Sequence, residues 1–210
     1  MHVGISIFKK HPGLGHIPYE KGQPWNLGIV DPHKHIYRGA APANKGVNAR
    51  SSLKWLKDKG IERILIFNGT EQGIDRDDEI RLIRELGMEE HCFDWGQMLE
   101  EKKSGQEYAW DKILKLFRKG KIFLHCVWGV DRTGAITARA RRALYGWNAM
   151  DAFLELRAYG FAFEFTPKRL MQYQKEVMEY FDFNIEEYEP LKPGHPDHSA
   201  CIVREQTYIR

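Results

Sequence analysis

Four short apolar runs alternate along the chain with segments in which apolar residues recur every three or four positions. The runs cover residues 35–39, 61–67, 91–95 and 121–125, and their length and composition are typical of strands. This alternation predicts an α/β fold with a central, mainly parallel, twisted sheet of about four to five strands, flanked by helices on both faces.

Six segments have the apolar spacing of helices. Their ends are marked by cap, acidic, glycine or proline signals at Asn48, Asp75, Gly120, Asn148 and Thr166-Pro167, and the sixth follows residue 134. The stretch between the third strand and the helix of Trp110 to Phe117 is interpreted as a polar loop. Strands and helices therefore alternate through the middle of the chain.

The pattern changes at both ends. Residues 1–35 contain four prolines and several glycines, which predicts an arm of turns and at most short strands. Residues 36–182 carry the alternating pattern and form the predicted core, whereas 183–210 are a polar extension in which 200–209 has the character of a late edge strand. We expect all 210 residues to form one domain, because typical domains hold about 100–200 residues.

Composition limits the compartment and the partners. The formal net charge of +3 is too small to indicate a nucleic-acid-binding surface, and no apolar run is long enough for a membrane span. Cys92, Cys126 and Cys201 do not form a disulfide framework, and the histidines fit no standard zinc spacing. The start of the chain has no secretory signal. We expect a cytoplasmic protein without metal or cofactor.

Residues 125–134, HCVWGVDRTG, join a predicted strand to a helix. A loop in this position directs successive backbone N–H groups into one concavity, and the helix dipole adds about half a positive charge there. The same field favours the thiolate of Cys126, and the planar guanidinium of Arg132 can hold two phosphoryl oxygens. The loop is therefore interpreted as an anion-binding site that holds a nucleophile and a phosphate clamp, although the bare Cys-x5-Arg spacing is by itself a weak signal.

Other residues of this stretch have supporting roles. Gly129 allows a turn where a side chain would clash, and the Thr133 hydroxyl is placed to donate toward the thiolate. His125 is expected to hydrogen-bond the loop from behind instead of transferring protons. Asp131 is expected to turn away from the phosphate, because its carboxylate would repel a dianion. The residues expected to line the bound phosphoryl group are consecutive: Val127, Trp128, Gly129, Val130, Asp131 and Arg132.

The stretch resembles the H-C-x-x-G-x-x-R-T-G signature of cysteine-dependent protein tyrosine and dual-specificity phosphatases. The matching residues are His125, Cys126, Gly129, Arg132, Thr133 and Gly134. An accidental match of all six is on the order of one in a million at average residue frequencies. Residues 35–42, HIYRGAAP, are similar to the early strand-and-turn segment of compact dual-specificity-like members, so the resemblance covers residues ~26 to ~182.

The resemblance implies a phosphatase with a phosphocysteine intermediate, acting without metal on phosphotyrosine or phosphoserine/threonine of a protein or peptide. An inorganic phosphate or sulfate-like anion would occupy the same loop. The family carries its general acid on a loop after the strand that precedes the signature strand, which implies Asp94. Because the Trp-Pro-Asp order of the larger enzymes is missing, three other carboxyl groups stay in reserve: Glu100, Glu101 and Asp111.

Three alternatives remain open. An RNA 5′-triphosphatase of the same superfamily could use Arg139, Arg141 and Arg142 to guide RNA, although the low net charge argues against it. A phosphoinositide phosphatase is disfavoured because the variable loop positions contain no lysine. A pseudophosphatase would bind phosphate without turnover, but nucleophile, arginine and hydroxyl are all present.

Overall fold

The computed structural model describes residues 10–18, 20–68, 76–161 and 172–184. Within these ranges the chain forms six strands and seven α-helices. Two compact units are distinguished, one of residues 13–133 and one of the described residues among 1–12 and 134–210. The complete sheet belongs to the first unit, and a single domain stays a prediction.

The elements alternate as strands and helices from the third strand onward. The strands are β1 (Gly15–His16), β2 (Gly28–Asp31), β3 (Ile36–Ala40), β4 (Arg63–Ile66), β5 (Glu89–Cys92) and β6 (Ile122–Cys126). The helices are α1 (Ala49–Asp58), α2 (Arg76–Glu85), α3 (Trp95–Ser104), α4 (Tyr108–Lys119), α5 (Asp131–Tyr145), α6 (Ala149–Ala158) and α7 (Gln172–Tyr180). A 3₁₀ turn, Asn44–Gly46, follows β3.

The sheet has the strand order β1-β2-β3-β6-β4-β5. β3, β6, β4 and β5 run parallel, whereas β1 and β2 add an antiparallel edge. The prediction of a mainly parallel α/β sheet flanked by helices is confirmed. The sheet has six strands instead of four to five, because the predicted arm contributes β1 and β2: β2 pairs with β3, and β1 pairs with β2.

A tight turn between β2 and β3 explains this antiparallel edge. The Asp31 carboxylate accepts from the backbone N–H groups of His33 at 2.9 Å and Lys34 at 3.0 Å, which closes the turn. His35 then has φ +52°, a left-handed conformation that returns the chain into β3. These local polar contacts have no hydrophobic periodicity, so the pattern along the sequence did not reveal the pairing.

Helix ends follow the predicted capping residues. The side chains of Asn48 and Asn148 accept from the backbone N–H groups of Ser51 and Asp151 and so begin α1 and α6. Gly120 ends α4 with φ +74°. The predicted starts at Asp75 and Thr166-Pro167 and the edge strand at 200–209 lie outside the described residues.

The prediction of a polar loop after the third strand is wrong, because Trp95–Ser104 is α3. The Asp94 side chain caps the N-terminus of α3 and Gly105, at φ +74°, ends it. Only Trp95 and Met98 of this helix are buried, so its periodicity is weak. The third strand is correspondingly shifted from 91–95 to Glu89–Cys92.

A hydrophobic layer joins α1 and α2 to the sheet. It contains Leu53 and Leu56 of α1, Ile83 of α2, Ile64 of β4 and Phe123 of β6, none of which has exposed surface. Burial of each such side chain stabilises the fold by roughly 1.5–3 kcal/mol. This layer fixes β4 and β6, whose carboxyl ends carry the candidate site. In the described parts of the chain no helix is long and apolar enough to cross a membrane.

Candidate active site

The candidate site is the loop between β6 and α5, which we call the phosphate loop and define as residues 126–132. Strand β6 ends at Cys126 and helix α5 begins at Asp131. The strand–loop–helix arrangement expected from the sequence is therefore present at the carboxyl edge of the parallel strands. Cys126 is 5% exposed and Val127 is also buried, whereas Trp128 is 40% exposed.

The carbonyl of Val127, the first after the cysteine, is held from outside the phosphate loop. It accepts from the backbone N–H of Ala41 at 3.1 Å and from the side-chain amide of Asn44 in the 3₁₀ turn. Both donors lie in the segment that follows β3. The carbonyl is therefore directed toward that segment and away from the mouth of the loop.

The next two carbonyls are held from the same side. The Asn26 amide donates to the Trp128 carbonyl at 3.2 Å and to the Gly129 carbonyl at 3.4 Å, and Arg38 Nη2 donates to the Gly129 carbonyl at 2.8 Å. Because consecutive carbonyls are directed outward, the peptide N–H groups between them are directed toward the opposite, concave side. This arrangement is suited to binding an anion.

Arg38 was not recognised as a site residue in the sequence. It lies in β3 and has no exposed surface, so its charge must be compensated by hydrogen bonds. Its bond to the Gly129 carbonyl places a positive group directly behind the phosphate loop. The available signal was a charged residue in the middle of a short, otherwise uncharged strand, Ile36–Ala40.

The turn at Gly129 requires glycine. Its φ is +68°, and a Cβ there would lie 2.3 Å from the Gly39 carbonyl carbon and 2.6 Å from the Ala40 nitrogen. Both neighbours are backbone atoms, which cannot move aside separately. Gly129 therefore brings the phosphate loop into direct contact with β3.

Arg132 and Thr133 lie in the first turn of α5. Arg132 Nη1 donates to the Phe67 carbonyl at 3.3 Å, and the Phe67 N–H donates to the His125 carbonyl at 2.9 Å. The guanidinium is thereby positioned at the carboxyl ends of β4 and β6. Thr133 is fully buried.

His125 precedes Cys126 at the end of β6 and is fully buried. Its Nδ1 is 3.4 Å from the Cys126 carbonyl oxygen, and its Nε2 is 3.0 Å from a carboxylate oxygen of Glu79 in α2. Glu79 is only 4% exposed. Glu79 occupies the buried stripe of α2 together with Leu82 and Ile83, and no role was expected for it from the sequence.

Asp131 is half-buried beside Arg132. Burial raises the pKa of its carboxyl from 3.8 to about 6, against the opposing effects of a backbone hydrogen bond and of Arg132. Below about pH 6 this side chain is therefore mostly neutral and does not repel an anion. Above that pH it adds a negative charge next to the phosphate loop.

Asp94 lies on the same edge of the sheet as Cys126. Ile66 of β4 pairs with Cys92 of β5 on one side and with His125 of β6 on the other. Since neighbouring strands are about 4.8 Å apart, the ends of β5 and β6 are separated by about 10 Å. The exposed Asp94 carboxylate accepts from the Gln97 N–H at 2.8 Å.

The three alternative carboxyl groups for the general acid have local partners or lie in the first turn of a helix. Glu100 pairs with Lys103 at 2.8 Å, and Glu101 accepts from the Ala109 N–H at 2.8 Å. Asp111 lies in the first turn of α4. Among the described residues, no group of three or more His, Cys, Asp and Glu side chains could hold a metal ion.

The three arginines considered for RNA contact interact with other residues of the same compact unit. Arg141 is 1% exposed and makes two 2.8 Å hydrogen bonds to Glu155. Arg142 donates to the Phe181 carbonyl, and Arg139 lies 4.8 Å from the centre of the Tyr180 ring. These contacts with protein groups account for the three arginines without a role in binding nucleic acid.

No family model and no curated protein sequence matches the chain. Solved structures do resemble it. The core catalytic domain of the PP-IP phosphatase SIW14 from S. cerevisiae is 19% identical with a TM-score of 0.51, covering 78% of this chain and 90% of that chain. TpbA from P. aeruginosa is 18% identical with a TM-score of 0.54, covering 82% and 91%.

A third similar structure is a DUF442 protein from Shewanella putrefaciens, 15% identical with a TM-score of 0.52, covering 79% of this chain and 96% of that chain. At these identities the likeness concerns the fold. The fold expected from the resemblance is confirmed: the chain has the fold of these phosphatase structures.

Proposed function

We propose that this chain is a cysteine-dependent phosphatase that hydrolyses phosphomonoesters, with phosphotyrosine or phosphoserine/threonine of proteins and peptides as its substrates. One observation carries the proposal. The three successive carbonyls after Cys126 are held outward by Asn26, Arg38 and Asn44, which supports a concave side of the loop lined by backbone N–H groups, with Arg132 following in the first turn of α5. Such a concavity is suited to binding a tetrahedral oxyanion.

The reaction proceeds in two displacements. The Cys126 thiolate attacks phosphorus, the bond from phosphorus to the ester oxygen breaks, and the Asp94 carboxyl gives its proton to that oxygen. Water then attacks the phosphocysteine, the P–S bond breaks, and the Asp94 carboxylate takes the proton from water. The products are the alcohol or phenol, inorganic phosphate and the regenerated thiolate.

The backbone N–H of Gln97 donates to one oxygen of the Asp94 carboxyl group, Oδ1. The other oxygen can carry the proton in the first step and take it from water in the second, so the cap orients the carboxyl group in both steps.

The rim of the phosphate loop supports an aryl phosphate over a polyanionic head group. Trp128 is exposed and meets Trp25 edge to face, with ring centres 6.2 Å apart. Val127, Val130 and Asp131 provide no cation for additional phosphates. One of the similar structures, TpbA, was determined with phosphotyrosine bound, whereas SIW14 is named a PP-IP phosphatase.

A Cys126→Ser variant and a substrate panel test this function. The wild type should release phosphate from a phosphotyrosine peptide at least tenfold faster than from a phosphoinositide, an inositol pyrophosphate or 5′-triphosphate RNA. Cys126→Ser should lose turnover but keep binding to tungstate, because the cradle is built from other residues. A wild type that binds tungstate and releases no phosphate from any substrate would establish a pseudophosphatase.

A further inference from the structure

Two tryptophan side chains meet beside the phosphate loop. Trp128 is the second residue after Cys126, and Trp25 belongs to the segment that precedes β2. Their rings lie edge to face, with centres 6.2 Å apart and planes at 84°. Among the described residues, the exposed large hydrophobic side chains are Trp128, at 40%, and Tyr108. Of these two, Trp128 alone lies in the phosphate loop.

A backbone hydrogen bond places Trp25 at the same edge of the sheet as the nucleophile. The Trp25 carbonyl accepts from the Ala40 N–H at 2.8 Å, and Ala40 pairs in register with Cys126. Since neighbouring strands are about 4.8 Å apart, and Trp25 lies on the β2 side of β3, its backbone is about 10 Å from the end of β6. The half-buried Trp25 ring spans this distance toward Trp128.

The residue after Trp25 ties the same segment to Trp128. The buried side chain of Asn26 donates to the Trp128 carbonyl at 3.2 Å. Asn26 has φ +53°, a left-handed conformation that asparagine tolerates better than most residues. These anchoring bonds use backbone carbonyls and the Asn26 amide instead of the indole groups. A substitution of either ring therefore removes aromatic surface and keeps these bonds.

The position of the two rings suits an aromatic ester group. When a phosphoryl group occupies the phosphate loop, the first atoms of its ester group lie at the mouth of the loop, next to residue 128. A phenyl ring there can pack against indole surface, offset or edge to face. The side chain of phosphoserine has one methylene group and no ring. Residues 127–131 contain no lysine or arginine that would attract a second phosphate.

We propose that Trp25 and Trp128 form an aromatic wall that binds the ring of an aryl phosphomonoester and selects phosphotyrosine over phosphoserine and phosphothreonine. The proposal rests on the phosphatase function above and narrows it to one class of ester. Trp25 lies in the predicted N-terminal arm, outside the segment that resembles the phosphatase family. The arm therefore takes part in substrate recognition.

The test removes the rings one at a time. For each variant, kcat/KM is measured on a phosphotyrosine peptide and on a phosphoserine peptide of otherwise identical sequence. Trp128→Leu and Trp25→Leu should each lower the ratio of the two values about tenfold, whereas Trp128→Phe, which keeps an aromatic face, should stay within about threefold of wild type. The intrinsic reactivity of the two esters is the same for all variants, so a change in the ratio reports contacts with the ring.

Trp55→Leu is the matched control. Trp55 is also half-buried, but it lies on α1 and its indole N–H donates to Glu20 at 3.1 Å. This variant should leave the ratio unchanged. An equal fall of the ratio in Trp55→Leu, or an unchanged ratio in both Trp128→Leu and Trp25→Leu, would overturn the proposal while leaving the phosphatase function intact.

A second measurement does not depend on turnover and needs no change to either ring. Calorimetric titration of the Cys126→Ser variant should show phosphotyrosine binding about tenfold more tightly than phosphoserine. Adding Trp128→Leu should reduce this preference to less than about threefold, with the tungstate Kd as the check that the loop is intact. Equal affinities of Cys126→Ser for the two phosphoamino acids would overturn the aromatic wall. Absence of binding by both phosphoamino acids and by tungstate would overturn the phosphatase function as well.

Discussion

Arg38 supports the shape of the phosphate loop from behind. Its bond to the Gly129 carbonyl is charge-assisted and fully buried. Arg63, on β4, offers a matched comparison, because it also donates to a carbonyl, that of Gly120, at 3.3 Å. The Gly120 carbonyl precedes the start of β6, at the edge opposite the nucleophile.

Arg38→Met should weaken tungstate binding about tenfold or more and lower the free energy of unfolding by about 2–3 kcal/mol, because a buried carbonyl loses a charged donor. Arg63→Met should reduce stability but leave the tungstate Kd unchanged. Calorimetric titration and urea denaturation measure the two quantities. Equal losses of tungstate affinity in both variants would show that Arg38 acts only through general stability.

Asp131 makes stability and anion binding depend on pH. Its folded pKa of about 6 lies above the ordinary 3.8, so between these values the folded state holds more protons than the unfolded chain. Ionisation of Asp131 therefore costs stability as pH rises through about 4 to 6. Asp131→Asn should be more stable than wild type by about 1–2 kcal/mol at pH 7.5, allowing for partial exposure, and by much less at pH 4.

Urea denaturation at both pH values measures this difference. Glu62→Gln serves as a control, because its stability relative to wild type should change with pH in the opposite direction. The pKa of Glu62 is lowered, first by the hydrogen bond from Lys121, so its contribution appears as pH rises. The Glu62→Gln variant should accordingly lose stability relative to wild type with increasing pH. A difference in unfolding free energy between Asp131→Asn and wild type that does not increase with pH would contradict the raised pKa of Asp131.

Among the secondary-structure elements, helix α3 begins at a side chain with two proposed roles, which two variants can distinguish. Asp94 caps this helix and is the proposed acid. Asparagine caps helices as well as aspartate does but transfers no proton, whereas alanine does neither. Asp94→Asn should therefore keep wild-type stability, and Asp94→Ala should lose about 1 kcal/mol.

Both Asp94 variants should lose about 10²–10⁴-fold in kcat on esters with poor leaving groups and much less on aryl esters with good ones. Steady-state kinetics across a series of aryl phosphates, beside thermal melting, gives both results. Full activity of Asp94→Asn on poor leaving groups would move the acid role to another carboxyl group.

Some strands and helices could be predicted from the sequence, and others could not. The four parallel strands and the helices capped by Asn48 and Asn148 follow from apolar runs and local capping, which depend on neighbours in sequence. Helix α3 buries only Trp95 and Met98, so its stability derives from caps instead of a periodic stripe. Pairing of β1 and β2 depends on a polar turn and on the free edge of β3.

The candidate site was predictable to a similar extent. Cys126 and Arg132 lie in one loop and are visible in their spacing. Asn26 and Arg38 come from other segments, and they reach the loop because β2, β3 and β6 are neighbours in the sheet. No spacing in sequence encodes such contacts.

At the scale of the whole molecule, anion binding should stabilise the fold. The phosphate loop is held by residues before β2, in β3, in the 3₁₀ turn and after β4, so the cradle exists only when these segments are assembled. A ligand that binds only the folded state adds RT ln(1 + [L]/Kd) to stability, about 2.7 kcal/mol at a hundred times Kd.

Tungstate at that concentration should therefore raise the free energy of unfolding of the wild type by about 2.7 kcal/mol, and Cys126→Ser should respond similarly. Arg132→Met should show little of this gain at the same concentration, because the guanidinium is the part of the cradle that carries a full positive charge toward the anion. Urea denaturation with and without tungstate measures both. A gain of equal size in Arg132→Met would mean that tungstate binds elsewhere, and the cradle would not be the anion site.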